Sequence, residues 1–457
     1  MTAYWLEHAA VDGVVRDSVR VEIEDGLFTA VEVGAEQAGA DRLAGLTIPG
    51  LANCHSHAFH RALRGRTQRE RGTFWTWREQ MYAVAGRLDP DGYYDLARAT
   101  YREMLAAGFT SVGEFHYLHH GPDGTPYSDA NAMGLALVEA ARDAGIRIAL
   151  LDTCYLAAGI GREPEGVQRR FTDGDAGAWA ARTSDLCRGV TPSREHGVSA
   201  GGSDSSSGAV DVVVGAAIHS VRAVPRDQMH FVAEWADRHQ APLHVHVSEQ
   251  LSENVTCLEA YGETPTGVLE DAGVLGPRTT AVHATHLTDA DVRMLGETRT
   301  HVCFCPTTER DLADGIGPSR LLHEAGARLT LGTDSHAVID AFEEMRAVEL
   351  DERLSSQERG QWSAAELLEA ASSKGHRSLG FDGAGRIAVG APADLVTLDV
   401  RSPRTAGTGS GVETAVFAAS AADVVHVVAQ GKVVVERGDH RDIGVALDRA
   451  VHRIWED

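Results

Sequence analysis

Lysine is nearly missing from this chain. Of its 42 lysine and arginine residues, only Lys374 and Lys432 are lysines. None stands in residues 1–373, which excludes a two-metal site bridged by a carboxylated lysine on a central strand. Cysteine is sparse as well. The six (54, 154, 187, 257, 303 and 305) form no C-x-x-C pair, so no disulfide framework is expected and a reduced, cytoplasmic protein fits. No apolar run approaches the ~18 residues of a membrane span. The N-terminus lacks a basic stretch followed by an apolar one, so no signal peptide is read there. Positive charge is also short. A formal net charge of −24 argues against nucleic acid or an anionic membrane as partner. An acidic ligand would need arginines close at hand.

What is present is ordinary globular material. Hydrophobic residues make up 43% and charged residues 24% of 457, enough for one large domain and a smaller one. Residues 1–47 alternate over short runs such as Val19-Arg-Val-Glu-Ile-Glu, with Gly26 as a turn. The same texture returns in Ala393-Asp-Leu-Val-Thr-Leu-Asp and in the valine-rich run from Val424. The two ends (1–47 and 385–457, the latter with a terminal helix) are therefore expected to pair into one small β-sandwich domain. Between them, over 48–384, strand-like and helix-like segments alternate. Strands are predicted at Leu46–Cys54, Thr110–Phe115, Ile146–Cys154, Val210–Ile218, Pro242–Ser248, Thr280–Ala284, His301–Cys305 and Arg328–Thr333. Eight strands with intervening helices predict a (β/α)₈ TIM-like barrel in an α/β protein. Two segments read as insertions. Gly65–Arg87 follows the first strand, where it could cover a site, and Gly197–Gly208 is a flexible loop by composition.

The chemistry-bearing residues collect at the strand ends, where barrel enzymes carry their sites. His55 and His57, at i and i+2, can aim two imidazoles at one point. With His246 and Asp334 they make three neutral imidazoles and one carboxylate, a set that suits one zinc-like cation and leaves a place for water. His244 is equally available on the strand of His246, and Asp334 could instead cap a helix. Glu249 and His283 read as the proton-transfer pair, with His286 as the neighbour of His283. A zinc ion lowers the pKa of bound water to about 7. Asp334 can then accept the water proton, His283 can orient the water and Glu249 can protonate a leaving nitrogen.

The pattern H-x-H, H-x-x-E, H and D after strands one, five, six and eight resembles the amidohydrolase superfamily. So does the stretch Gly385-Arg-Ile-Ala-Val-Gly-Ala-Pro-Ala-Asp-Leu-Val. Within the superfamily, F-W-T-W-R-E at 74–79, G-E-F-H-Y at 113–117 and H-S-V-R-A-V at 219–224 resemble the formiminoglutamate deiminases. That resemblance implies hydrolysis of N-formimino-L-glutamate to N-formyl-L-glutamate and ammonia in histidine degradation. It implies one zinc per subunit (iron being the alternative) on His55, His57, His246 and Asp334. It also implies proton handling by Glu249, His283 and Asp334, substrate contacts from Arg78, Tyr117, His219 and Arg222, and a homodimer. His60 departs from relatives that carry glutamine there and is kept as a further substrate contact. The competing expectation is a deaminase of a purine or another heterocycle on the same barrel. Such substrates have no evident need of Arg78 and Arg222.

Overall fold

The computed structural model describes residues 2–68, 72–190, 210–436 and 440–456. The side chains of Phe74 and Trp75 and the Gly/Ser-rich 197–208 stretch lie outside the described part. The chain opens with β1 (Thr2–Val11), β2 (Val14–Glu24), β3 (Leu27–Val33) and β4 (Asp41–Pro49). Eight parallel strands follow: β5 (Leu51–Ser56), β6 (Phe109–His116), β7 (Arg147–Cys154), β8 (Val212–Ile218), β9 (Leu243–Val247), β10 (Thr279–His283), β11 (His301–Phe304) and β12 (Arg328–Leu331). The C-terminal part adds β13 (Leu395–Leu398), β14 (Val424–Ala429) and β15 (Lys432–Glu436).

The terminal strands form one seven-stranded sheet in the order β15-β14-β13-β4-β1-β2-β3. Its far edge returns to the start of β13: the Phe28 N–H donates to the Ala391 carbonyl at 3.0 Å, and Leu27 bridges Pro392. The sheet thus encloses a core of its own, with Leu6, Val19, Val21, Phe28 and Leu395 inside. Alternation along β1 and β2 dictates this, since every second side chain turns inward.

Leu46–Cys54, expected as one strand, is two strands in two different sheets. The chain changes sheets at Gly50, where a Cβ would stand 2.4 Å from Thr110 Oγ1 and 2.6 Å from the Asp394 Cβ. Only glycine permits that approach. Asp394, from the C-terminal signature, is buried and pairs with Arg147 at the start of β7, joining sheet to barrel.

The barrel strands are buried on both faces, as parallel strands under helices must be. Their order runs β5 to β12 without interruption. Between β5 and β12 the ring closes through residues at the strand ends. The N–H groups of Thr333 and Asp334 both donate to the His55 carbonyl (3.1 and 2.9 Å), and the His57 N–H donates to the Asp334 carbonyl (3.2 Å). Asn53 completes the seam. Its Nδ2 donates to Thr333 Oγ1 at 2.7 Å, and its Oδ1 accepts the Thr333 N–H at 3.0 Å.

The last helix, His440–Glu456, buries Ile443, Leu447, Ala450 and Ile454, one helical face at i, i+4, i+7 and i+11. Its Trp455 Nε1 donates to the Ala62 carbonyl at 2.9 Å, so the terminus braces the segment after β5.

Replacing Asn53 by alanine strips two buried hydrogen bonds from the closure. The expected loss is about 2–3 kcal/mol, read as a lower urea midpoint. An unchanged midpoint would mean that the backbone bonds alone close the ring.

Candidate active site

The ends of β5, β9, β10 and β12 converge on one point. His55 ends in the barrel mouth with its ring fully buried, and His57 follows directly, 3% exposed. His246 comes from β9, His283 from the end of β10 and Asp334 from just after β12. Several of these strand ends have left-handed backbone: Ser248 (φ 52°), His283 (φ 69°), Ala284 (φ 49°), Asp334 (φ 42°) and His336 (φ 57°). Each such residue costs on the order of 1–3 kcal/mol, and such strain gathers where side chains must be aimed.

Ring orientation is set by backbone partners. His57 Nδ1 is 2.9 Å from the Phe115 carbonyl, and His246 Nδ1 is 2.8 Å from the His219 carbonyl. A carbonyl only accepts, so both Nδ1 atoms carry the proton and both Nε2 atoms present bare lone pairs. His57 Nε2 faces Asp334 Oδ1 at 3.3 Å, and His246 Nε2 faces His55 Nε2 at 3.0 Å. His55 Nε2 is also 3.4 Å from Asp334 Oδ1. A proton on His55 Nε2 can serve one of these neighbours, whereas a cation serves all of them. The donor set fits a divalent metal with nitrogen and oxygen ligands.

Protonation does not relieve the crowding. Burial pushes His55 down to about 3 and also lowers His57. Burial, with His55 beside it, holds His246 well below the ordinary value. Burial by itself would raise Asp334, but the hydrogen bond with His55 and the surrounding imidazoles outweigh it and hold the carboxyl well below the usual range. At neutral pH the set is three neutral imidazoles and a carboxylate.

Another buried group, His116, His119 and Asp152, also has ligand-like spacing. Here Arg182 takes both Asp152 oxygens at 2.8 Å, and Trp179 Nε1 donates to Oδ1 at 2.9 Å. This is an ion-pair network with its cation built in.

Above the four residues lies a cavity of about 350 Å³. His57, His246, His283, Glu249 and Asp334 line its floor, while His55 lies beneath them. Arg78, Tyr117, His219, Arg222 and His60 line its walls. The helix Phe74–Arg87, within the segment expected to cover the site, supplies Trp77, Arg78, Met81 and Tyr82 to one wall. His60 Nε2 is 3.0 Å from the Tyr117 hydroxyl, and burial with His57 nearby keeps its ring neutral.

The open alternatives separate. His244 shares its face of β9 with His246 but bonds the Ser378 carbonyl at 3.2 Å, deep in the barrel. His286 is absent from the cavity wall. The helix after Asp334 starts at Ala341 and is capped by Asp340, so Asp334 caps nothing.

Three carboxylates were not anticipated. Glu309, from the short helix Pro306–Leu312 after β11, stands 3.3 Å from His283 Nδ1 and also accepts the Cys305 N–H at 2.8 Å. Burial alone would lower His283, yet its hydrogen bond with Glu309 and the Glu249 and Asp334 carboxylates raise its pKa well above normal. Glu253 pairs with Arg222 Nε at 3.2 Å. Glu114, inside the G-E-F-H-Y stretch, accepts the Ser56 hydroxyl at 2.6 Å and the Ala58 N–H at 2.7 Å, fixing both sides of His57. Of the eight barrel strands only β7 and β11 were left without a candidate residue after their ends, and that gap was the available signal for Glu309.

The fold and the site together are those of a barrel hydrolase with a place for a divalent metal. The amidohydrolase family profile matches residues 46–434, and the chain belongs to that family. It is 35% identical over 455 residues to the formimidoylglutamate deiminase of Pseudomonas aeruginosa, covering 96% of each chain. It is 27% identical over 430 residues to a 5-methylthioadenosine/S-adenosylhomocysteine deaminase of Haloarcula marismortui, covering 92% of this chain and 89% of that one. The crystal structure of an amidohydrolase from Brucella melitensis superposes with a TM-score of 0.88 at 30% identity, covering 99% of this chain and all of that one.

Burial pushes Glu114 up from 4.5 to about 8, against the opposing hydrogen bonds from Ser56 and Ala58. It therefore stays protonated in the folded chain where the unfolded chain has lost the proton. Its contribution is complete below pH 4.5 and fades as pH rises through about 8. Glu114→Gln should flatten stability between those limits and make the variant the more stable protein at pH 8.5. Parallel pH–stability curves for the two proteins would contradict this.

Proposed function

We propose that the protein hydrolyses N-formimino-L-glutamate to N-formyl-L-glutamate and ammonia, a reaction of histidine degradation. The observation that carries the reading is the pair of guanidinium groups, Arg78 and Arg222, on the wall of a cavity built over a deaminase-type site. The substrate bears two carboxylates, and charge-assisted hydrogen bonds to arginine contribute about 1.5–3 kcal/mol each. A purine offers neither arginine a carboxylate. Identity to the deiminase relative along nearly the whole chain supports the same choice.

His55, His57, His246 and Asp334 would hold the divalent cation, with zinc as the proposed metal and iron as the alternative. Bound there, it would supply Lewis-acid activation of a water molecule. Asp334 would accept the proton of that water. His283, its Nδ1 held by Glu309, would present Nε2 to the attacking water. Glu249, on the floor of the cavity, would deliver a proton to the departing nitrogen. Arg78, Arg222, Tyr117, His219 and His60 would orient the dicarboxylate so that its formimino carbon meets the water. A homodimer belongs to the reading on resemblance alone, and a cytoplasmic location on the scattered cysteines. Among the described residues no helix is long and apolar enough to cross a membrane.

The test is ammonia release by metal-loaded protein from N-formimino-L-glutamate, set beside adenosine and N-formimino-L-aspartate. Release from the first, with formylglutamate as co-product, is expected, and release from adenosine alone would overturn the proposal. Chelation should abolish turnover, and a divalent metal should restore it.

Glu309→Gln leaves all four metal-holding residues intact. It should lower kcat by about 10- to 100-fold with metal content and KM little changed. A proportional loss of bound metal would instead make Glu309 a structural support of the floor.

A further inference from the structure

Arg222 is held at two points by carboxylates of unequal freedom. Its Nε lies 3.2 Å from Glu253 Oε2, and its Nη2 lies 3.1 Å from Glu249 Oε2. Glu253 is 1% exposed and sits on the helix Leu251–Tyr261, and its second oxygen accepts the Ser248 N–H at 3.1 Å. The Ser248 hydrogen bond pins it, and its other oxygen meets Arg222 as an ion pair. Glu249 stands on the short link between β9 and that helix, facing the cavity. Among the described residues its carboxylate hydrogen-bonds only to Arg222.

A guanidinium binds a carboxylate in two planar, bidentate ways: through Nε and Nη2, or through Nη1 and Nη2. Both use Nη2, the nitrogen that Glu249 occupies. A carboxylate arriving at Arg222 thus shares that nitrogen with Glu249 and repels it at short range. Nε already faces Glu253, so the arriving carboxylate takes the Nη1–Nη2 edge and the Glu253 contact, on the stem side, survives.

We infer that Arg222 and Glu249 form a substrate-opened latch: Glu253 anchors the arginine, and an incoming carboxylate competes with Glu249 for Nη2 and frees it to turn toward the bond being hydrolysed. The inference rests on the deiminase reading and adds a selection step to it. Ligands without a carboxylate leave the general acid tied to Arg222. Recognition at one end of the substrate then controls chemistry at the other.

The competition is read without turnover by calorimetric titration of glutarate, a dicarboxylate with no bond to hydrolyse, into the metal-loaded protein. Glu249→Gln removes the competing charge while keeping the shape, and should tighten glutarate by about tenfold. Glu253→Gln loosens the anchor and should weaken it. Equal tightening in both variants would reduce the effect to bulk charge and overturn the latch. So would an unchanged or weaker constant in Glu249→Gln, or no glutarate binding in any of the three proteins. A turnover arm uses N-butylformamidine, which has the formimino group and no carboxylate. Arg222→Met should raise its kcat/KM several-fold while lowering that for N-formimino-L-glutamate by more than about 100-fold. A fall for both substrates would refute the latch. Wild-type inactivity on formiminoglutamate would refute the deiminase reading instead, and glutarate would still report on Arg222.

Discussion

Three imidazoles and a carboxylate converging in a buried pocket suit a cation between them, and much of the structure exists to force that convergence. The backbone carbonyls of Phe115 and His219 decide which nitrogen of His57 and His246 is bare. Burial then disfavours charging the rings, so at most one of the contacts at 3.0–3.4 Å is served by a proton on His55 Nε2. Such an arrangement persists only where the surrounding fold over-determines it. Here the same residues close the barrel, since the Asp334 N–H donates to the His55 carbonyl and the Asp334 carbonyl accepts the His57 N–H, joining the ends of β5 and β12. Loosening the site would open the ring.

That coupling explains how labour is divided along the chain. The terminal sheet contributes nothing to the cavity, yet it fixes the barrel strands from outside. Gly50 passes the chain from one sheet to the other with no room to spare, and the buried Arg147–Asp394 pair holds the junction. A buried ion pair is weak evidence for stability but specifies geometry well, because a shifted register would leave both charges unpaired. The C-terminal signature stretch therefore matters through Asp394, although it lies far from any chemistry.

Local patterns in the sequence carried much of the architecture. Alternating and continuous apolar runs located all eight barrel strands, and H-x-H, H-x-x-E and the isolated His283 and Asp334 gave the floor of the site. The break at Gly50 was missed because a run of buried strand residues reads the same whether it belongs to one sheet or to two. Glu309, Glu253, Glu114 and Asn53 were missed for a different reason. Each acts through a partner set by folding rather than by spacing: Glu309 reaches 26 residues back to His283, and Asn53 reaches 280 residues forward to Thr333. Residues that hold other residues carry no periodicity. The strand-end rule alone could have pointed to Glu309 and Glu114.

A chain of net charge −24 is, on that number alone, a poor receptor for a dicarboxylate. The site meets that difficulty at short range. Charges beyond the Debye length of about 8 Å are screened at physiological salt, whereas a guanidinium in a partly dry cavity is not. Yet a half-buried arginine waiting unpaired for its ligand would destabilise the empty protein. Arg222 avoids this by resting between Glu249 and Glu253. The two carboxylates that look like obstacles to an acidic ligand are what keep the half-buried arginine paired in its absence. Because one is pinned and the other faces the cavity, the empty site remains neutralised without giving up a face to the substrate.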